Sequence, residues 1–180
     1  MMNMKSNDIM RLTIVPMFAA LTAVLSQITI PFAPVPFNLA LFSVFLSAGV
    51  LGAKNSAIGQ IIYILLGAIG LPVFASFQGG LQSLVGPTGG YILGYVICAF
   101  VTGLLMYNLR DLFIFRVISM IIGLVCCYAL GTAWFIFTTK TKIWLALTMC
   151  VFPFFIGDIL KIIFAAILIP KIRVIAKVGV

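Results

Sequence analysis

Histidine and glutamate are absent from this sequence of 180 residues, and aspartate occurs three times. Without histidine, and without cysteines at metal-ligand spacing, the chain lacks the usual ligand sets for zinc, and we expect no metal site. No serine or cysteine is paired in the sequence with an evident base, and the nucleotide-binding pattern G-x-x-x-x-G-K-[ST] is missing. These absences disfavour a hydrolase, a metalloenzyme or an ATPase, so we predict no catalytic residues.

Hydrophobic residues, in contrast, make up 64% of the chain and charged residues only 8%. Together with a mean hydropathy of +1.31, this composition excludes a soluble domain and indicates an integral membrane protein. At roughly 20 residues per span, the length allows about six helices. We therefore predict an all-α membrane protein in which residues 1–180 form one integral membrane domain with six transmembrane helices. The four cysteines fall within apolar spans and are interpreted as packing residues.

The apolar runs place the helices. The predicted spans cover about residues 12–30, 38–51, 57–71, 91–109, 117–137 and 144–169. Pro153 is expected to kink the sixth span and Pro170 to end it, because proline cannot continue the helical hydrogen bonding. The prolines of residues 31–37 predict a short, stiff loop. Residues 72–90, with their Gly-Gly pairs and prolines, predict a long irregular outer loop between helices 3 and 4, which caps or lines a cavity.

The distribution of basic residues predicts the orientation. We predict that the protein lies in the plasma membrane. If its amino terminus is cytoplasmic, six spans leave only Lys140 and Lys142 outside the cell. Both termini are then cytoplasmic, and the irregular loops lie together on the outer side. We attribute the net charge of +8 to this excess of basic residues on the cytoplasmic side. We expect the lipid bilayer, and no nucleic acid, as a partner. The basic residues predicted inside are Lys5, Arg11, Lys54, Arg110, Arg116, Lys171, Arg173 and Lys177.

Asp158 and Lys161 stand out because they lie within the apolar stretch 152–169. Three residues apart on a helix, they share a face. Burying a single charge in lipid costs about 3 kcal/mol or more, so this face is expected to point inward, and an ionisable residue at that depth indicates a functional site. Two alternatives are a self-neutralised ion pair that only pins the helix, and a lysine that snorkels to the headgroups.

The glycine-rich segment before the fourth span is a second candidate for ligand binding. Gln78 and Gln82 can both donate and accept hydrogen bonds, and free backbone N–H groups where the helix begins at Tyr91 can meet an acceptor. A connector without a ligand is the alternative. Together with Asp158 and Lys161, these groups suit a small, partly apolar ligand that carries amide-like or carboxylate groups.

In the first span, Ala19 and Ala23 lie four residues apart on one face. Small residues at this spacing let another helix approach closely in a membrane. The stripe is equally compatible with packing inside the chain and with contact to a separate protein.

Three stretches together resemble the BioY family, the biotin-binding S components of energy-coupling-factor (ECF) vitamin transporters. They are QGGLQSLVGPTGGY at residues 78–91, Pro-Val-Pro at residues 34–36, and Gly157-Asp158 with Lys161. The resemblance covers essentially the whole chain, including the count of six spans.

The resemblance implies a substrate-binding subunit, not an enzyme, that captures extracellular biotin without a cofactor and works with a transmembrane T component and two ATP-binding-cassette ATPases. It implies that Ala19 and Ala23 meet the T component. Its implied ligand-binding residues are Gln78, Gly79, Gly80, Tyr91, Asp158 and Lys161. At the position of Gln78 we expect asparagine in some members of the family; glutamine keeps the amide but lengthens the side chain.

Two other functions remain as alternatives. One is an S component for a different small vitamin. The other is an intramembrane enzyme in which Asp158 and Lys161 act as acid and base. For the transporter, we also expect residues 78–90 and the loop containing Pro34 to close over the bound ligand.

Overall fold

The computed structural model describes residues 6–31, 35–109 and 111–176. Lys5, Pro34, Arg110 and Lys177, on which parts of the predictions rest, lie outside them. Within the described part, the chain is mostly helical, in agreement with the predicted all-α class. The helices are α1 Ser6–Gln27, α2 Ala40–Ala68, α3 Leu81–Val85, α4 Gly89–Asn108, α5 Phe113–Thr139, α6 Ile143–Cys150 and α7 Phe155–Ala176.

Length and apolar composition identify the helices that can cross a membrane. Among the described residues, α2, α4 and α5 each qualify alone, and α6 with α7 qualifies as a fourth, bent span. Helix α1 contributes a shorter apolar segment, Thr13–Gln27, which is less than the length of a full membrane span. The buried core lies mainly where α1, α2, α4, α5 and α7 meet.

Helix α2 is interrupted at Gly52, whose φ of 75° is outside the helical region. In a straight helix, residues 47 and 60 would lie about 20 Å apart along the axis. Instead the Gln60 Nε2 atom donates to Ser47 Oγ at 3.5 Å. The chain therefore folds back at Gly52, and residues 40–51 and 53–68 lie side by side. The gap between the spans predicted at residues 38–51 and 57–71 is consistent with this geometry.

The break at Gly52 removes helical partners from nearby carbonyl groups, which other side chains then satisfy. The Arg173 Nε atom donates to the Gly49 carbonyl at 2.7 Å. Closer to the break, the Ser56 hydroxyl donates to the Gly52 carbonyl at 2.6 Å. Backbone groups in a membrane need such partners because lipid offers none.

Helices α6 and α7 are separated by residues 151–154 and meet at an angle of 51°. Pro153 lies in this break, where the sequence predicted a kink. Among the aromatic residues at this junction, Phe154 is buried, whereas Phe152 and Phe155 are exposed.

The prediction that Pro170 ends the last helix is wrong, because α7 continues through it to Ala176. A proline inside a helix leaves the carbonyl four residues earlier without its backbone donor. Here that carbonyl belongs to Ala166, and Arg116 Nη1 donates to it at 2.7 Å. An arginine from α5 thus replaces the missing N–H, which allows the helix to continue.

Arg116 and Arg173 also share the carboxylate of Asp111, which precedes α5. Arg173 Nη1 lies 3.0 Å from Asp111 Oδ2 and Arg116 Nε lies 3.4 Å from Oδ1. These residues tie α2, α5, α7 and the connection after α4 together at one end of the bundle.

Two irregular connections lie at the opposite end. Short strands β1 (Thr29–Ile30) and β2 (Phe37–Asn38) form an antiparallel pair in the connection between α1 and α2. The predicted irregular segment contains a 3-10 turn at Ala75–Phe77 and the five-residue helix α3. These connections stand over the ends of α2 and α4.

We predict that Arg116→Met lowers thermal stability in detergent by about 1–3 kcal/mol, because a buried carbonyl loses its donor. Lys171→Met is the matched control, since it removes a basic residue that directly follows Pro170 in α7 and is exposed. Equal melting temperatures for the two variants would contradict the role assigned to Arg116.

Candidate functional site

A cavity of about 270 Å³ lies beneath the irregular connections. Its walls combine aromatic rings with neutral polar side chains, the kind of lining found in small-ligand pockets. Residues from α2, α4, both connections and the 3-10 turn contribute. They are Val35, Pro36, Asn38, Tyr63, Phe74, Ala75, Ser76, Gln78, Ser83, Pro87, Thr88, Tyr91, Ile92 and Tyr95.

A second, smaller cavity adjoins the first and brings in α5, α6 and α7. The two share five wall residues, so they are parts of one site: Val35, Pro36, Asn38, Tyr91 and Tyr95. Asp158 and Lys161 line the smaller part, together with Tyr128, Cys150 and Phe154. The predicted charged pair therefore lines the smaller part of the site, and Gln78 lines the larger part.

Asp158 and Lys161 point into the protein, as the sequence predicted. They are 2% and 5% exposed, and Lys161 Nζ lies 2.7 Å from Asp158 Oδ1. The pair is therefore neutralised internally, which is the condition for keeping two charges away from lipid. Both side chains also line the smaller cavity, so the pair borders a space as well as holding the helix in place.

Lys161 is fully engaged by its surroundings. Besides Asp158, its ammonium donates to the Asn38 carbonyl at 2.6 Å and lies 3.8 Å from the centre of the Phe37 ring. An ammonium group has three N–H donors, and these three contacts account for them. Direct binding of a ligand carbonyl or carboxylate by Lys161 would displace one of these contacts.

Asp158, in contrast, can accept further hydrogen bonds. Its Oδ2 atom accepts a hydrogen bond from the Tyr128 hydroxyl, and its Oδ1 atom accepts from Lys161. An ionised carboxylate can accept about four hydrogen bonds. With these two donors from the described residues in place, Asp158 can still accept from an N–H group of a ligand without breaking an existing contact.

The position of Gln78 depends on the end of α1. Gln27 Oε1 accepts the Phe77 N–H at 2.9 Å, and Gln27 Nε2 donates to the Phe74 carbonyl at 3.1 Å. These bonds hold the 3-10 turn, in which Ser76 and Phe77 both have a φ of 57°. Gln78 follows this strained turn directly and so reaches the cavity wall.

Gly79 and Gly80 have a structural role in this segment. A Cβ atom at Gly79 would lie 2.3 Å from the Leu71 carbonyl oxygen, and the Gly80 N–H donates to the Gly67 carbonyl at 2.7 Å. They let the chain pass closely over the end of α2. Neither borders the main cavity; Gly79 borders an outer recess beside Gln78.

The start of α4 also differs from the expectation that its N–H groups are free for a ligand. The N–H groups of Gly89, Tyr91 and Ile92 all donate to nearby backbone carbonyls. Tyr91 instead contributes its side chain, which lines both parts of the site. Its hydroxyl is fixed by a hydrogen bond of 2.9 Å with Thr132.

The alanine stripe of α1 is directed largely into the chain. Ala19 is 1% exposed and belongs to the core, and Ala23 is half-buried. Ala19 therefore packs within the chain in this conformation, and its contact with a separate protein stays a prediction. Ala20, the next residue, is exposed.

Known proteins resemble this chain in both sequence and fold. The family model described as the BioY family matches residues 2–177. The chain belongs to the BioY family. It is 44% identical over 156 residues to the biotin transporter BioY of Thermotoga maritima, covering 87% of this chain and 91% of that protein. It is 37% identical over 171 residues to the probable biotin transporter BioY of Pyrococcus horikoshii, covering 94% and 98%.

A solved structure has the same fold. The crystal structure of the S component for biotin from an ECF-type ABC transporter is 26% identical in sequence, with a TM-score of 0.86 over 94% of each chain. The resemblance to the BioY family seen in the sequence is thus confirmed over nearly the whole chain. These relatives and this structure are described as transporters or transporter components.

Sequence reasoning missed several residues of the site. Tyr128, Tyr95 and Asn38 line it, and Phe37 packs on Lys161. The available signal was a tyrosine with a polar hydroxyl in the middle of an apolar span, as at Tyr95 and Tyr128, since such hydroxyls usually need a partner.

Thermal unfolding should reveal the interdependence of Asp158 and Lys161. Asp158→Asn or Lys161→Met alone should each cost about 3–5 kcal/mol, because each leaves an unbalanced buried charge. The double substitution should be much closer to the native protein, because it removes both charges and largely preserves volume. Destabilisation of the double variant by the sum of the two single effects would show that the charges do not stabilise each other.

Proposed function

We propose that this chain is the substrate-binding S component of an ECF-type transporter and that it binds biotin in the cavity between α2, α4 and α7. Family membership and the named relatives support this function. The observation that carries it is the buried pair of Asp158 and Lys161 in the wall of an aromatic cavity. A charged pair at this depth in an apolar bundle favours a binding role.

Biotin is chemically complementary to this cavity. Its ureido ring carries two N–H donors and a carbonyl acceptor, and an apolar chain ends in a carboxylate. Asp158 retains capacity for an N–H donor, so we assign the ureido N–H group to it. The aromatic walls formed by Tyr63, Phe74 and Tyr95 suit the thioether ring and the apolar chain.

We propose six membrane crossings for this fold. They are α1, the two halves of α2 on either side of Gly52, α4, α5, and the bent pair of α6 and α7. The end of the bundle with Arg116 and Arg173 faces the cytoplasm, which places the cavity toward the outside. Both termini are then cytoplasmic, and biotin enters from outside the cell.

Uptake driven by ATP then requires partner proteins, because the sequence has no P-loop motif. We propose a transmembrane T component and two ATP-binding-cassette ATPases as these partners. The T component would contact α1. Since Ala19 is occupied within the chain, Ala20 and the exposed part of Ala23 are the small residues that a partner helix can reach in this conformation.

Isothermal titration of the purified chain with biotin, riboflavin and thiamine tests the ligand. We expect binding of biotin alone. Asp158→Asn should weaken it by about 10-fold to 150-fold, the effect of losing a charged hydrogen-bonding group. Lys161→Ala should weaken it by a similar factor, because it removes the ion-pair partner that holds Asp158 in place. Each variant is assayed below its own unfolding temperature.

Asp111→Asn is the matched control, because it neutralises an aspartate at the far end of the bundle. It should leave the affinity for biotin unchanged. Binding of riboflavin or thiamine in place of biotin would contradict the assigned ligand. Equal affinities in Asp158→Asn and Asp111→Asn would contradict the assigned site.

A further inference from the structure

The ring of Phe37 packs on α7 at Gly157, a position where a larger residue would place its Cβ atom against the ring. A Cβ atom at Gly157 would lie 2.4 Å from Cζ of Phe37, far inside van der Waals contact. On another side, the ring stacks on Phe154 with 5.9 Å between centroids and 11° between planes. The Lys161 ammonium lies over the ring, 3.8 Å from its centre. One aromatic side chain thus contacts Gly157 and Lys161 of α7 and Phe154 in the break just before it.

This contact holds a wall of the site in place. Residues 35–38 border the smaller cavity, and Val35, Pro36 and Asn38 border the larger one as well. The Asn38 carbonyl is bound to α7 through Lys161. The segment is also held by the pairing of Phe37 and Asn38 with Ile30 and Thr29, and by the packing of Val35 in a buried cluster with residues of α4, α5 and α6.

We infer that Phe37 is the anchor that docks residues 35–38 on α7, that Gly157 is kept free of a side chain to receive it, and that this contact controls how long a ligand stays in the cavity. The last part rests on the proposed function. Phe37 and Gly157 act here as positioning residues, because they set the place of a cavity wall.

The choice of glycine supports this role. Glycine is among the weakest helix formers, and Gly157 lies within the first turn of α7. An alanine would favour the helix but would meet the tip of the Phe37 ring. Since that atom is the far end of a side chain, the ring would give way before the helix does. The displaced ring would lose the face that Lys161 covers and would pull the Asn38 carbonyl from the ammonium.

Thiol labelling in the absence of ligand tests the anchor directly. Val35 is buried, so a cysteine introduced by Val35→Cys should react slowly with N-ethylmaleimide. Adding Gly157→Ala should raise this rate by about tenfold or more, the scale of losing an aromatic stack and a cation–π contact. Phe37→Leu should do the same while preserving apolar volume. The chain without Val35→Cys gives the background from the four native cysteines.

Ile156→Ala is the matched control, because Ile156 adjoins Gly157 on α7 but is 74% exposed. It should leave the labelling rate unchanged. Combining Gly157→Ala with Phe37→Leu should add little to either single change, because both remove the same contact. A rate with Gly157→Ala that equals the rate with Ile156→Ala would overturn the anchor, as would fully additive effects.

Biotin dissociation tests the consequence for ligand retention. Gly157→Ala and Phe37→Leu should each speed dissociation by about tenfold, with a smaller change in association. Unchanged dissociation in variants with faster labelling would overturn control of ligand retention. If the native chain binds no biotin, the proposed function fails, and the labelling rates still decide whether Phe37 docks residues 35–38 on α7.

Discussion

The ion pair between Asp158 and Lys161 is the interaction on which the site depends. Neither charge is tolerable alone in an apolar bundle, and each is satisfied by more than its partner. Asp158 accepts from Tyr128 of α5, and Lys161 donates to Asn38 in the connection before α2. The pair therefore fixes three separate parts of the chain around one point. The cavity wall is held by the same contacts that neutralise the charges.

The need to satisfy polar groups away from water also explains the far end of the bundle. Pro170 deprives the Ala166 carbonyl of its donor, and the break at Gly52 affects Gly49. Arg116 and Arg173 supply donors to these two carbonyls. An arginine can do this while keeping an ion pair with Asp111, because its guanidinium has five N–H donors. Basic residues that the sequence assigned to orientation alone are thus also structural.

Sequence patterns predicted the parts of the structure that depend on local chemistry. The inward direction of Asp158 and Lys161 followed from the cost of exposing charge to lipid, and the break near Pro153 followed from proline geometry. The end predicted at Pro170 was wrong because the compensating donor, Arg116, is 54 residues away in sequence and belongs to another helix. Local rules contain no information about such a partner.

The same limit applies to the cavity. Gln78 and Tyr91, which adjoin an unusual glycine-rich stretch, line the cavity. Gly79 and Gly80 shape the backbone beside it, and their contact with a ligand stays a prediction. Asn38 was not assigned to the site, since it meets Lys161 across 123 residues of sequence. Contacts of this separation arise from helix packing, and only the folded chain displays them.

The most direct test of the account is the distance from Asp158 to bound biotin. Solid-state NMR can measure dipolar coupling between ¹³C-labelled aspartate carboxyl carbons and ¹⁵N-labelled ureido nitrogens. With only three aspartates in the chain, Asp158→Asn assigns the signal. The account predicts a coupling to Asp158 that corresponds to about 4 Å, the separation in an N–H···O hydrogen bond to a carboxylate. Bound biotin without coupling to Asp158 would contradict it.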